Sequence, residues 1–471
     1  MIVSDMKRLI LVLALLVVGA SAQAAPVENG CWFMRTASPD APKIAIPQQL
    51  KSVTIAGYFH IYYAASDAAF ADALAKQQSV IERSKQFLEN ELAWRLPATR
   101  TEMNQPQLDV YFVQASRRFT GTVASDHDLS IILNRSVLST RDFPSIWIHE
   151  FAHASELQYR KSGDYWFFEA TAAWMETVFS HNSHQTEMAR AWSQSHASTS
   201  LISNDAVSAL GASRFLELLS RPYRDLIRQI WDQWSYSNDT ESLVDIVART
   251  LALNHSPDLE SYLQNYYLAA KPEFSIHSDS QSVLLQPYSA AILRGMPDQN
   301  SGGSHLSFVP NGPSKYSASL LFYARGETSG TAALKKGLTD VWSVIVPYAA
   351  MDHYDFIVVN SSSVPLRGKV VRNFDSSIPG VLEYFRVNPG DGGVQIEWKT
   401  AKEDGVAFWN LYRIERGSKV LLNEFPIPAS IDSQEGVHYL YFDNSDGAFY
   451  SLEAITSDGF ASPFAASDTP K

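Results

Sequence analysis

His149-Glu150-Phe151-Ala152-His153 sets two imidazoles four residues apart, with a carboxylate beside the first. On a helix the two rings stand one above the other on the same face. There they can grip a single zinc ion, while Glu150 takes a proton from a water that the metal activates. A zinc hydrolase also needs a third protein ligand and leaves its fourth position to water. Glu169, 16 residues after His153, is the candidate. Two histidines on a helix are also met as ordinary core or surface residues. Here they sit among apolar neighbours, as does Glu169, and two imidazoles and two carboxylates buried without a metal would be costly.

Two helices have to position these groups. Asp142 as N-cap and Pro144 in the first turn start one, and Ile146, Trp147, Ile148 and Phe151 predict that it is buried. Lys161-Ser162-Gly163-Asp164 breaks the pattern. A second helical pattern opens at Trp166-Phe167-Phe168-Glu169 and runs on through Trp174. The break is long enough to turn the chain back, so one carboxylate can face two imidazoles.

With these residues in view, the chain resembles the glutamate-zincin (gluzincin) metallopeptidases. It looks most like their secreted myxobacterial-type branch, whose members read HExxHxxQ and then W-x-x-E-[GA]-x-A-x-W-x-E. Here the second motif stands as Trp166, Glu169, Ala170, Ala172, Trp174 and Glu176. The resemblance runs from about residue 55 to the C-terminus and is strongest over 129–180. It implies zinc on His149, His153 and Glu169, with Glu150 as general base and acid. Two positions depart from the pattern. Glu156 stands where Gln is usual, and Ala173 occupies the place, four after the ligand Glu, where many members carry a group that orients a histidine. The partner of the zinc ligands is therefore left open.

The balance of charge is acidic, net −12 with a pI near 5.5. That argues against nucleic acid or an anionic membrane as the main partner. Met1 to Ala24 reads as a secretory signal, with Lys7-Arg8 before the apolar run Leu9 to Val18 and Ala22-Gln23-Ala24 as cleavage site. Met6 is an alternative start. The apolar run is too short to span a bilayer and no other run reaches that length, so no transmembrane anchor is expected. The expectation is an exported protein, periplasmic or secreted. Cys31 is the only cysteine, which rules out an intramolecular disulfide. It reads as a small buried or tethered thiol, the alternative being a thiolate that caps the zinc in a latent form.

Upstream of the motif, Ala56 to Tyr63 reads as a strand and Ser66 or Asp67 caps a helix running to about Trp94. Leu108 to Val113 and Leu129 to Leu133 are further strands. In the resembling family the strand just before the metal helix edges the cleft and pairs with an extended substrate, which implies that role for Leu129 to Leu133; the alternative is a buried interior strand. His127, between Asp126 and Asp128, reads as part of a solvated turn, with a substrate contact or second metal ligand as the alternative. His181 and His184 read as a solvated Ser/Asn-rich loop, with a part in positioning substrate as the alternative. From Asn204 to about Ala270 the pattern is helical, split at Pro222, with further helices at about Glu241 to Leu251 and Asp258 to Ala270. Its aromatic stripe, which includes Trp231 and Trp234, reads as core. Relatives use a Tyr or His from this half to stabilise the oxyanion. Tyr159, Tyr223, Tyr236, Tyr262, Tyr266 and Tyr267 are the candidates, and the sequence does not choose among them.

After Lys271-Pro272, short β-rich runs alternate with Gly, Ser, Asn and Pro, as in a β-sandwich: Ser282 to Gln286, Ser317 to Tyr323, Val341 to Val346 and Phe356 to Val359. Gly302-Gly303 and Asn311-Gly312 are the expected turns. Beyond Pro379-Gly380, the runs Gly393 to Trp398, Phe408 to Arg413, Tyr439 to Phe442 and Phe449 to Leu452 resemble a fibronectin type III-like module.

The expected fold class is thus α+β: a zincin-like catalytic domain with a mixed sheet and a helical half, then two β-sandwich-like modules. The expected boundaries are signal peptide 1–24, N-terminal segment 25–51, catalytic domain 52–272, and β modules 273–378 and 379–471. The expected function is zinc-dependent hydrolysis of peptide or protein substrates. The alternative is an inactive zincin-scaffold binding or adhesion protein of the cell envelope. A zinc hydrolase of a non-peptide bond is a weaker third, since the motif specifies an activated water and not the bond attacked.

Overall fold

Six strands are built around the first apolar runs: β1 (Leu50–Ile55), β2 (Phe59–Ala64), β3 (Arg100–Glu102), β4 (Gln105–Val113), β5 (Gly121–Ala124) and β6 (Ser130–Asn134). The structure is a computed structural model that describes residues 49–468, apart from 103–104, 116–119, 125–128, 181–183, 239, 277–278, 297–302, 313–314, 325–331, 348–350, 376–380, 391, 404–405, 416–417, 431–435, 445–448 and 457–460. The expected signal peptide, Cys31, His127, His181 and Gly302 lie outside the described residues. By its internal contacts the chain divides into two compact units. One comprises Met1–Leu88, Leu96–Gln158 and Met175–Ala189; the other comprises Glu89–Arg95, Tyr159–Trp174 and Arg190–Lys471.

In the first unit the strands form a mixed sheet in the order β1-β2-β4-β6-β5, with β3 paired to β4. The three central strands run parallel, and β1 and β5 lie antiparallel to them at the two edges. Central parallel strands have to be apolar, and Ile61, Val110, Ile131 and Leu133 are fully buried. The expectation that Leu129 to Leu133 forms the sheet edge is overturned, because β6 lies between β4 and β5. The edge strand is β5, whose four residues are too few for a period-2 pattern to stand out. The strand expected over Ala56 to Tyr63 starts later. Ala56 and Gly57 take positive φ (55° and 62°) in the turn that pairs β1 with β2.

Helix α1 (Phe70–Gln86) is shorter than expected at both ends and passes into a π-helical turn, Phe87–Glu91. Asp67 does not cap it: its carboxylate pairs with Arg135 at 2.8 Å, and the N-cap position belongs to Ala69. Then come α2 (Phe143–Glu156), α3 (Tyr165–Ser180) and α4 (His184–Ser195). The solvated loop expected at His184 is the start of α4. Glu187, Met188, Ala189, Arg190 and Ala191 are good helix formers, and Thr186, Ala189 and Arg190 are buried, so packing and propensity together override the polar composition.

The second unit holds α5 (Ala206–Gly211), α6 (Ser213–Ser220), α7 (Leu226–Tyr236), α8 (Leu243–Leu253) and α9 (Leu259–Leu268). The expected break at Pro222 falls between α6 and α7. Asp205, Ser242 and Asp258 cap their helices by accepting from Ser208, Asp245 and Ser261 backbone N–H groups. The aromatic stripe is core: Trp231 packs on Phe167, Phe168 and Trp234 with ring centroids 4.9–5.1 Å apart.

Four sheets complete this unit. β13-β10-β15-β8 (Trp342–Pro347, Gly303–Pro310, Leu366–Asp375, Ser280–Leu285) and β12-β11-β14-β9-β7 (Ala332–Leu338, Tyr316–Ala324, Met351–Asn360, Ala290–Gly295, Phe274–Ser275) share a core around Phe308, Tyr316, Tyr354 and Phe356. β16-β17-β21 (Val381–Gly390, Gly393–Lys402, His438–Asp443) and β19-β18-β22-β23 (Ser418–Leu421, Val406–Glu415, Phe449–Thr456, Ala461–Asp468), with β20 (Ile427–Pro428) on β18, share a second core around Trp398, Trp409 and Tyr450. The chain is therefore α+β, with helices and several sheets.

Candidate metal centre

Helix α2 is buried almost all round, its polar residues His149, Glu150, His153 and Glu156 included. Asp142 holds the N-cap position without a side-chain cap bond, and Pro144 stands in the first turn. Trp147 and Phe151 pack edge-on against Phe59 of β2, and the Trp147 indole N–H donates to Ser84 Oγ of α1 at 2.8 Å. That bond satisfies the one polar atom of an otherwise buried ring. Helix α3 is held in the same manner. Trp174 donates to Ser220 Oγ at 3.2 Å, and Thr171 Oγ1 accepts from Trp231 at 3.1 Å. The Trp166 N–H at its start donates to Asn204.

These two helices bring His149, His153 and Glu169 together: their ligand atoms all lie within 4.8 Å of one another. The expected trio is thus assembled, and its three residues are buried, as is Glu150. The imidazole planes are nearly perpendicular (89°), and the two Nε2 atoms are 3.0 Å apart.

The outer nitrogens explain what the inner ones present. His149 Nδ1 lies 2.6 Å from Glu176 Oε1, and His153 Nδ1 lies 2.8 Å from Glu156 Oε2. A carboxylate oxygen can only accept, so each ring proton sits on Nδ1 and both Nε2 atoms offer lone pairs. Two lone pairs meeting at 3.0 Å have no proton between them, and a cation suits that position. The separation is close to the edge, about 3.3 Å, of a tetrahedron with metal–nitrogen bonds of about 2.0–2.1 Å. Burial, and then the neighbouring His149 charge, push the His153 pKa well below the usual histidine range. That favours the neutral ring a metal needs. Two imidazoles and a carboxylate match the borderline-soft preference of zinc, so the residues present fit a zinc ion.

Both imidazoles have a carboxylate partner here. Glu156 is the carboxylate that orients His153. The partner left open at Ala173 is Glu176, one turn further along α3, whose second oxygen accepts from Thr186 Oγ1 of α4 at 2.9 Å. Helical spacing held the signal: Glu156 is three residues after His153, and Glu176 is seven after Glu169.

Three of the six tyrosine candidates are hydrogen-bonded to groups outside the trio. Tyr159 accepts from the Arg95 backbone N–H at 3.1 Å, Tyr267 donates to the Tyr288 carbonyl at 2.6 Å, and Tyr262 bonds Ser256. Tyr266 is buried, which pushes its pKa to about 12. Tyr223 and Tyr236 are exposed. None of the six has a described bond to the trio.

No protein-family model and no curated protein matches this chain. Among solved structures, a de novo designed double-stranded β-helix is 11% identical, with 20% of this chain and 100% of that one covered and a TM-score of 0.14. PirA is 12% identical over 20% and 94% of the two chains, with a TM-score of 0.17. The glycoside hydrolase domain of Endo-D from Streptococcus pneumoniae R6 is 8% identical over 40% and 33%, with a TM-score of 0.14. Likenesses this weak establish neither fold nor function for this chain.

Proposed function

We propose that the chain is an exported zinc-dependent peptidase, with a zincin-like catalytic domain followed by two β-sandwich-like modules. The observation that carries the reading is the buried His149, His153 and Glu169 group, with each imidazole turned inward by its own carboxylate. His149, His153 and Glu169 would hold the metal. When bound, zinc supplies a Lewis acid for the scissile carbonyl and acidifies a water. Glu150 takes the proton from the attacking water and passes it to the leaving amine, so no covalent acyl-enzyme is needed. Glu156 and Glu176 keep the imidazoles in one tautomer and one orientation throughout. Burial of Glu150 keeps bulk water from competing for its proton. An extended substrate adds to β5, the edge strand, through main-chain hydrogen bonds.

Cleavage of a diverse peptide library by the mature chain tests this, beside Glu150→Gln and a chelator control. Cleavage lost in both controls supports the peptidase. No cleavage by a zinc-loaded chain shifts the weight to the binding-protein alternative, against which stands the presence of all four motif residues in one chain.

A further inference from the structure

We propose that Gly121 is a positioning residue for Glu150: the side chain it lacks is the space in which the Glu150 carboxyl group is held. The inference rests on the reading of Glu150 as the proton carrier and adds a residue to that site. A Cβ built on Gly121 would lie 2.6 Å from Glu150 Oε1, 2.7 Å from its Cγ and 2.8 Å from its Cδ. All three distances are shorter than side-chain carbons tolerate, and all three atoms belong to one side chain. The carboxyl group therefore lies directly against the β5 backbone.

Backbone conformation does not account for the glycine, since Gly121 is absent from the positive-φ residues. Its φ lies outside the left-handed region that favours glycine, and glycine is a poor strand former. What excludes a side chain is space alone. Both walls of that space are tied to one sheet: β5 is held in register on β6, with Gly121 opposite Leu133, and α2 packs through Trp147 and Phe151 on Phe59 of β2. A methyl group at position 121 must then turn the Glu150 carboxyl group out of place.

The test is Gly121→Ala in the full mature chain, read in three ways. Zinc content stays at the wild-type level, because no ligand is touched. With a peptide found in the library assay, kcat falls about 100-fold, the scale of a displacement near 1 Å, while KM is unchanged. Melting temperature falls for Gly121→Ala in the wild-type background and stays level or rises when Glu150→Ala is also present, since the added methyl then has room. Equal loss of melting temperature in both backgrounds overturns the proposal, and so does a wild-type kcat in Gly121→Ala. If the single variant fails to fold, recovery in the double variant supports the proposal and failure in both overturns it. Stability coupling in a wild type that cleaves nothing leaves the positioning inference standing and removes the peptidase reading.

Discussion

Glu176 reaches His149 Nδ1 at 2.6 Å with one carboxylate oxygen and receives Thr186 Oγ1 at 2.9 Å with the other. The first imidazole is therefore fixed through a chain of three side chains from three helices. Glu176→Gln keeps the shape but replaces an acceptor-only oxygen pair with an amide. Zinc affinity is expected to fall about 10–100-fold, the range found for such outer partners, with the fold intact. Thr186→Val, which frees one Glu176 oxygen, should weaken zinc less. Competition against a chromophoric chelator, with circular dichroism as the fold control, reads both. Equal affinity in Glu176→Gln and wild type would leave Glu176 without this role.

Glu169 and Glu176 stand on one helix, and the assignment of ligand against orienter can be reversed by experiment. Glu169→Gln and His149→Ala are each expected to bring the zinc content of the purified chain close to zero, while Glu176→Gln retains metal at saturating zinc. If Glu176→Gln strips the metal and Glu169→Gln does not, the third ligand is Glu176.

Zinc withdrawal should also be visible in stability. A ligand bound only by the folded chain stabilises it by about 4 kcal/mol at a thousandfold excess over its dissociation constant. Glu150, Glu156, Glu169 and Glu176 are all buried, and removing a cation takes away positive charge beside them. Calorimetry of the chelated and zinc-loaded chain should show a lower melting temperature for the former. Identical traces would argue that no ion is held there.

Trp231 ties the start of α3 to the helical core, with Phe167, Phe168 and Trp234 around its ring and Thr171 on its N–H. Trp231→Ala is expected to cost about 3–5 kcal/mol in denaturant unfolding, and Trp231→Phe less, since it keeps most of the apolar volume. A loss below about 1 kcal/mol would mean that this cluster collapses onto the cavity.

In the first β core, a Cβ at Gly295 would lie 2.0 Å from Tyr354 Cζ, and that ring is fully buried. Gly295→Ala should therefore destabilise the chain by overpacking, by about 1–3 kcal/mol in denaturant unfolding. A neutral Gly295→Ala would show that Tyr354 can swing aside.

What was legible in the sequence was mainly what repeats over a long stretch. The helical periods of α2, α3, α8 and α9 mark their elements, α8 and α9 to within a few residues, whereas α1 ends at Gln86, well short of the expected Trp94. The spacing of His149, His153 and Glu169 marks the trio that the fold assembles. Short elements were not legible: β5 has four residues, and its place at the sheet edge depends on strand order, which no local pattern carries. The α4 helix was hidden because serine and asparagine around His181 and His184 read as a loop, while the burial of Thr186 and Arg190 that supports it is tertiary. Glu156 looked like a departure from a pattern, and Glu176 like a motif residue without a stated role, until their partners were seen to be imidazoles.

The donors assembled on α2 and α3 are nitrogen and oxygen only. A thiolate ligand can be drawn into a disulfide or oxidised to a sulfinic acid, so a cysteine site releases its metal when its surroundings turn oxidising. Imidazole and carboxylate have no such chemistry under those conditions. A metal held by this trio would accordingly be indifferent to redox poise and would answer instead to proton and metal concentration.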